Sequence, residues 1–354
     1  MISASVIGSL ARLLLAVGMV CVTIVAAVAE SADKSRRSAT LDELRGRGVV
    51  RCGVESSAPG FAVRGGDQGW IGFDVDFCRA VAAAVFGDAA KAAIVAIDQD
   101  GGYQALRDGD VDLLARHDQP TFDQAAADGF IQVAVSFHDG LGLMVPKNRG
   151  AATVATLAGA KICVIAGSSA QNDLDVAFTA RNIAYRAWAR LSKAVLRADY
   201  VAGQCDAYAA YLGTLAAIRA DLPKPLDHLI LPKALSKRPQ GPLVRQGDDR
   251  WADVVRWTLG AMLVAEERGV RAANVDDARL AANHPDIRRL LGIDGNYGAQ
   301  LGLSRTWAYA IIKYVGNYAE IYDRHLGPDT PLALPRGANA LWSNGGILFA
   351  PPFR

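Results

Sequence analysis

The chain has 354 residues, of which 51% are hydrophobic and 21% charged, and a formal net charge of +2. That balance belongs to a globular protein and excludes a disordered or low-complexity polymer. A charge so near zero gives no electrostatic handle for nucleic acid or an anionic membrane, so neither is expected as a partner.

Arg12 precedes an apolar stretch, Leu13 to Val28, which ends in the small-x-small sequence Ala27-Val28-Ala29 ahead of Glu30. Residues 1–29 therefore read as an export signal cleaved near Ala29, and the mature chain is expected in the periplasm. Lipidation at Cys21 is disfavoured because Val20 is too large for the position before a lipidated cysteine. An uncleaved anchor is the alternative, since the apolar stretch of about 17 residues sits at the lower limit of a membrane span. After cleavage about 325 residues remain, enough for two ordinary domains. Four cysteines remain as well, Cys52 and Cys78 in one half, Cys163 and Cys205 in the other. An even set in an exported chain is more often paired than free, which suggests two stapled lobes. Four buried free thiols are the alternative, which mass spectrometry without reductant distinguishes. No CxxC or Cys/His cluster is present, so no metal and no cofactor are expected.

In chain order, Thr40 with Glu43 offers a capping box for a short helix. A strand, Val49 to Val54, follows, then the turn-rich Arg64 to Gly69, then an alanine-rich helix ending near Phe86 with Asp74 or Asp76 as its cap. Cys52 on that strand and Cys78 on that helix are able to meet across the packing. A helix stopped by glycine and followed by a short buried strand occurs twice, at Tyr103–Ala115 with Gly109 and at Val195–Tyr208 with Gly203. Such units argue for two doubly wound α/β lobes. Ligands in open α/β sheets bind beyond the carboxyl ends of strands, so the loops after Ala115 and Ala209 become candidate walls of one cleft.

His138 to Pro146 reads as an extended crossing segment and Pro223 to Pro242 as the return, together a two-segment hinge. The expected division is 1–29 signal, 30–146 first part of lobe 1, 147–237 lobe 2, and 238–354 the return to lobe 1 with a helical extension. In the middle lobe, the strand Lys161 to Ile165 runs into Gly167-Ser168-Ser169, which suits either an anion or a plain helix cap. Trp251–Arg268 and Trp307–Tyr322 read as amphipathic helices, with Trp251, Trp257 and Trp307 in the core.

These pieces resemble, in order, the periplasmic substrate-binding proteins of polar amino acid ABC transporters, solute-binding protein family 3, and in particular their long general L-amino acid branch. The resemblance rests on Arg51-Cys-Gly-Val54, Pro59-Gly-Phe61, Gly72-Phe-Asp-Val-Asp-Phe-Cys-Arg-Ala-Val-Ala-Ala-Ala-Val-Phe86, Gly241 to Asp249, Ala265-Glu-Glu267, Gly316 to Ile321, and Asn339 to Ile347 with Ala350-Pro-Pro352. It implies a type II periplasmic binding protein fold, monomeric, that closes on a small-molecule ligand and delivers it to an ABC permease in the inner membrane. It also implies the pairs Cys52 with Cys78 and Cys163 with Cys205.

The resemblance assigns the site residue by residue, and here the chain departs from the pattern. Family members carry a Thr after the lobe 1 strand and, three residues on, an Arg that forks onto the ligand α-carboxylate. This chain keeps Thr121 but has Gln124 at the Arg position. The lobe 2 strand of the family ends in an Asp for the α-ammonium, where this chain has Tyr211. Losing both anchors removes on the order of 5 kcal/mol of binding unless other groups replace them. Candidate replacements are Arg116 and His117 at the lobe 1 strand end, with Ser168 and Ser169 for an oxyanion. Phe61 and Tyr211 are candidates to sandwich a planar or apolar group, and Glu55 to face the cleft. An enzyme is not expected: Glu55, His117 and Asp118 form the single plausible proton-transfer set, and no local Ser/His/Asp elbow occurs. The competing class is a non-transport binder, a sensor partner or an accessory factor of a periplasmic enzyme.

Overall fold

A computed structural model describes residues 38–98, 101–116, 120, 129–150 and 153–353. The first sheet grows from β1 (Val50–Glu55), whose apolar residues pack on both faces. It is flanked in parallel by β4 (Ala92–Ile97) and β5 (Leu113–Leu114), and completed by β14 (Leu243–Arg245) and β6 (Phe130–Gln132) in the order β4-β1-β5-β14-β6. Strand β14 runs antiparallel to both its neighbours, as befits a segment that returns late in the chain. A small hairpin, β2 (Val63–Arg64) with β3 (Trp70–Ile71), caps this lobe.

The second sheet has the order β10-β9-β11-β8-β12, built from β8 (Leu141–Pro146), β9 (Lys161–Ile165), β10 (Arg186–Arg190), β11 (Ala207–Tyr211) and β12 (His228–Ile230). β9 lies parallel to β10 and β11, whereas β8 lies antiparallel to β11 and β12. Residues 141–146, placed with the first lobe on the sequence, thus form a strand of the second sheet. Between the sheets, β7 (Phe137–Asp139) and β13 (Arg238–Gln240) pair antiparallel, with Arg238 opposite Asp139 and Gln240 opposite Phe137. This two-stranded ribbon is the pair of crossings.

Local chemistry sets the helix ends, not always at the residues the sequence favoured. Helix α1 (Ala39–Arg47) is capped by Ser38, whose Oγ accepts from the Leu41 amide at 3.0 Å, and not by Thr40. The Thr40 amide is instead taken by Asp248 at 2.9 Å, and Ser38 Oγ donates to the same carboxylate. Helix α2 (Phe73–Phe86) begins at Gly72 with no side-chain cap, which corrects the expectation for Asp74 and Asp76. A Cβ on Gly72 would meet the Phe61 carbonyl oxygen at 2.0 Å, and its φ of 140° is open to glycine alone. Both aspartates sit in the first turn, where the helix dipole favours them. Helices α3 (Gly102–Arg107), α4 (Ser169–Thr179), α5 (Lys193–Val201) and α6 (Leu212–Ala220) provide the crossovers.

Beyond the return, the long α7 (Asp249–Glu267) leads to α8 (Val275–Leu280), α9 (Pro285–Leu290), α10 (Tyr297–Gln300), α11 (Trp307–Tyr314) and α12 (Tyr318–His325). The expected single helix from Trp307 to Tyr322 is two helices. Gly316, at φ 107°, breaks it, and Asn317 with Glu320 forms a capping box that starts α12. Trp251 and Trp307 are buried and Trp257 half-buried. Apolar side chains of these helices join those of α2 and β1 in one continuous core, so the extension is part of the first lobe's interior.

Each lobe carries one disulfide, Cys52–Cys78 between β1 and α2 and Cys163–Cys205 beside β9 and β11, with Cα separations of 5.9 and 5.7 Å. The bridges close intervals of 26 and 42 residues. In the chain-entropy picture, removing them as Cys→Ala pairs lowers unfolding free energy by about 3.5 and about 4 kcal/mol respectively. Urea unfolding of the two double variants checks this, and a loss below about 1 kcal/mol in both would refute it.

Candidate functional site

The carboxyl end of β11 faces the first lobe across the hinge ribbon, and several polar side chains converge on the turn from Tyr211 to Gly213. From the first lobe comes Phe61, 5% exposed and packed edge-on against Phe73 and Phe137, with ring centroids at 6.1 and 5.0 Å. A Cβ on Gly213 would stand 3.2 Å from the Phe61 ring, so glycine at the start of α6 lets the lobes meet here. From the hinge come Asp139 and Arg238. Asp139 Oδ1 accepts from the amides of Gly140 and Leu212, each at 2.8 Å, and so satisfies donors at the α6 N-terminus, which has no side-chain cap of its own. Burial pushes the Asp139 carboxyl up to about 6, against the opposing pull of the Gly140, Leu212 and Gly213 amides and the Arg238 charge.

From the second lobe come Tyr211, Asp173 on α4, and Ser236 in the return segment. The Arg238 guanidinium carbon lies 4.2 Å from the centre of the Tyr211 ring. Ser236 Oγ donates to Asp173 Oδ2 at 2.7 Å and accepts from the Leu141 amide at 3.0 Å. Tyr211 Oη stands 3.5 Å from the same Asp173 oxygen. Burial raises the Tyr211 hydroxyl, and Ser169 contacts it.

Three predicted residues, Phe61, Ser169 and Tyr211, are therefore brought together. Ser168 performs the helix-cap role: its Oγ accepts from the Gln171 amide at 3.2 Å and donates to the Ile165 carbonyl at 2.7 Å. Arg116, beyond β5, is buried, with Nη1 donating to the Asp98 carbonyl at 2.8 Å and the guanidinium packed on Gly102, where a Cβ would come within 2.3 Å. His117, Thr121 and Gln124 lie outside the described residues, as does Asp118. Glu55 ends β1, half-buried. Sequence reasoning passed over Asp139, Asp173, Ser236 and Arg238, because the residues sit in crossing segments and on a helix face with no strand-end motif. The one available signal was a charge on each crossing, Asp139 and Arg238. A separate groove of about 490 Å³ on the extension is lined by Trp342, Phe349, Phe353 and Arg268, and holds none of the predicted residues.

Two α/β sheets bridged by a paired two-strand hinge, with polar groups gathered at the strand ends between them, define a type II periplasmic binding protein. The chain belongs to the bacterial extracellular solute-binding proteins, family 3, whose profile matches residues 50–268. It is 41% identical over 331 residues to the general L-amino acid-binding periplasmic protein AapJ of Rhizobium johnstonii, covering 93% of this chain and 97% of that one. The glutamate/glutamine/aspartate/asparagine-binding protein BztA of Rhodobacter capsulatus is 39% identical over 333 residues, 94% of this chain and 97% of its own. Among solved structures, an ABC transporter periplasmic binding protein from Brucella ovis with glutathione bound superposes with a TM-score of 0.78. It shares 39% identity and covers 90% of this chain and 100% of its own. These relatives are named as binding proteins.

Proposed function

We propose that the protein captures a small polar solute bearing an amino acid or short-peptide framework in the cleft between its sheets, and delivers it to an ABC permease. The carrying observation is the convergence of Phe61 from the first lobe, Tyr211 and Ser169 from the second, and the hinge charges Asp139 and Arg238 on a single turn. Relatives matched over nearly their whole length bear the names of amino acid binders, and one solved relative holds glutathione. The reading includes a cleaved leader ending near Ala29, a monomeric mature protein, no catalysis, and a lobe boundary along the two hinge strands.

A thermal-shift panel of the common amino acids, organic acids, polyamines and glutathione tests it. A ligand at 100 times its dissociation constant adds about 2.7 kcal/mol to stability, a rise of several degrees. At least one amino acid or peptide is expected to give that rise. A melting temperature that no member of the panel moves would overturn the reading.

A further inference from the structure

The hinge carries a buried donor that nothing in the described structure satisfies. Arg238 and Asp139 stand directly opposite in the β7–β13 ribbon, so their side chains leave the same face with Cβ atoms about 5 Å apart. Their heads are used differently. The Asp139 carboxylate is committed to the amides of Gly140 and Leu212. The Arg238 guanidinium carbon lies 4.2 Å from the Tyr211 ring centre, and the Arg238 Nε is buried without an acceptor among the described residues. A charged N–H left so is costly, and an anion of the right shape relieves the cost.

At the end of β11 the unsatisfied group is therefore a donor, on Arg238, with two carboxylates, Asp139 and Asp173, beside it. An ammonium arriving there meets a guanidinium, and the nearby carboxylates already accept protein donors: Asp139 from two amides, Asp173 from Ser236 Oγ, with Tyr211 Oη beside it. A carboxylate arriving there meets the guanidinium packed on the Tyr211 ring, with the Ser169 hydroxyl beside Tyr211. Tyr211 is the platform and Arg238 the anchor.

We propose that Arg238 is the anion anchor of the cleft and that the ligand is a small carboxylate-bearing solute, held at the second-lobe strand end by its carboxylate and not by its ammonium. This rests on the cleft being the solute site, and the two statements fail separately. Titration calorimetry with glutamate, succinate, glutathione, the corresponding carboxamides, and putrescine is run on the wild type, Arg238→Gln, Arg238→Lys and Tyr211→Phe. The wild type is expected to bind at least one carboxylate and to lose about 100-fold in affinity when the anchored carboxylate becomes a carboxamide. Arg238→Gln is expected to lose about 100-fold toward that ligand, Arg238→Lys about 10-fold because a point charge replaces the fork, and Tyr211→Phe little, since the ring remains.

Equal affinity in the wild type and Arg238→Gln would overturn the anchor and leave solute binding standing. Preference for putrescine or for the carboxamides would do the same. If the wild type binds nothing in the panel, both statements fall. Should Arg238→Gln not fold, the carboxamide comparison on the wild type and the Arg238→Lys ratio decide the matter alone.

Discussion

A chain ended at Arg268, where the match to the family profile stops, is expected not to accumulate as a folded protein. The shortened chain retains every strand of both sheets, so it looks like a complete binder on topology alone. Its first lobe is not complete. Trp307, Ile311, Ile312, Tyr318, Ile321, Tyr322 and Leu326 are all buried, and they belong to the same core cluster as Val81, Ala82 and Leu259. Burial of each such large side chain contributes about 1.5 to 3 kcal/mol, and their sum, about 10 to 21 kcal/mol, is as large as the whole net stability of an ordinary domain, about 5–15 kcal/mol. Truncation also removes groups that hold the hinge. Asn339 clasps the backbone of His138, accepting from its amide at 2.6 Å and donating to its carbonyl at 3.0 Å. Tyr318 Oη donates to the Ser136 carbonyl at 2.8 Å, and Arg219 on α6 of the second lobe reaches the Leu332 carbonyl at 2.6 Å. The extension thus touches the first lobe, the hinge and the second lobe. Periplasmic yield and dye binding to exposed apolar surface check the expectation; a soluble, cooperatively melting 1–268 product would refute it.

Much of this architecture is legible in the amino-acid sequence, and the reasons are local. Gly109 and Gly203 stop their helices with φ of 77° and 72°, a conformation other residues resist, so the two helix–strand units could be read directly. The cysteine pairs followed from the family resemblance, and the structure places each within one lobe. What escaped depends on partners distant in sequence. The choice of Ser38 over Thr40 as cap is decided by Asp248, about two hundred residues away, which takes both the Thr40 amide and the Ser38 hydroxyl. Gly72 displaces the aspartates because the Phe61 carbonyl presses on it. Of the candidate residues, Ser169 starts α4, Tyr211 ends β11 and Phe61 lies in the turn between β1 and β2, positions that motifs mark. Arg238 and Asp139 become neighbours through the register of two strands about a hundred residues apart, and no periodicity within either segment announces that. Ser168 and Arg116 had equally good sequence credentials as ligand groups, and packing commits them to the backbone of their own lobes.

Asp76→Ala is expected to lower unfolding free energy by about 3–5 kcal/mol, the range for removing one partner of a buried charge cluster. Asp76 is 3% exposed and faces two guanidinium groups and an imidazole: Arg79 one turn along α2 at 2.8 Å, and Arg324 at 2.5 Å with His325 at 2.7 Å from the end of α12. Burial by itself raises this carboxyl. The His325 hydrogen bond and charge, then Arg79 and Arg324, outweigh burial and hold it below its ordinary 3.8. A carboxylate depressed in the folded state contributes stability above its unfolded value, and loses it as pH falls through the folded value, where both states bind the proton. The wild type should therefore lose stability relative to Asp76→Asn as pH drops below about 4, with the gap between the two widest near neutrality. Arg324 is half exposed, so its share is screened by salt, whereas the His325 contact lies under cover. A double-mutant cycle of Asp76→Ala with Arg324→Ala in urea unfolding separates the terms. A coupling near zero, together with an Asp76→Ala loss below about 1 kcal/mol, would mean that apolar packing alone fastens α12 to α2, and that the charge cluster only fills the space between them.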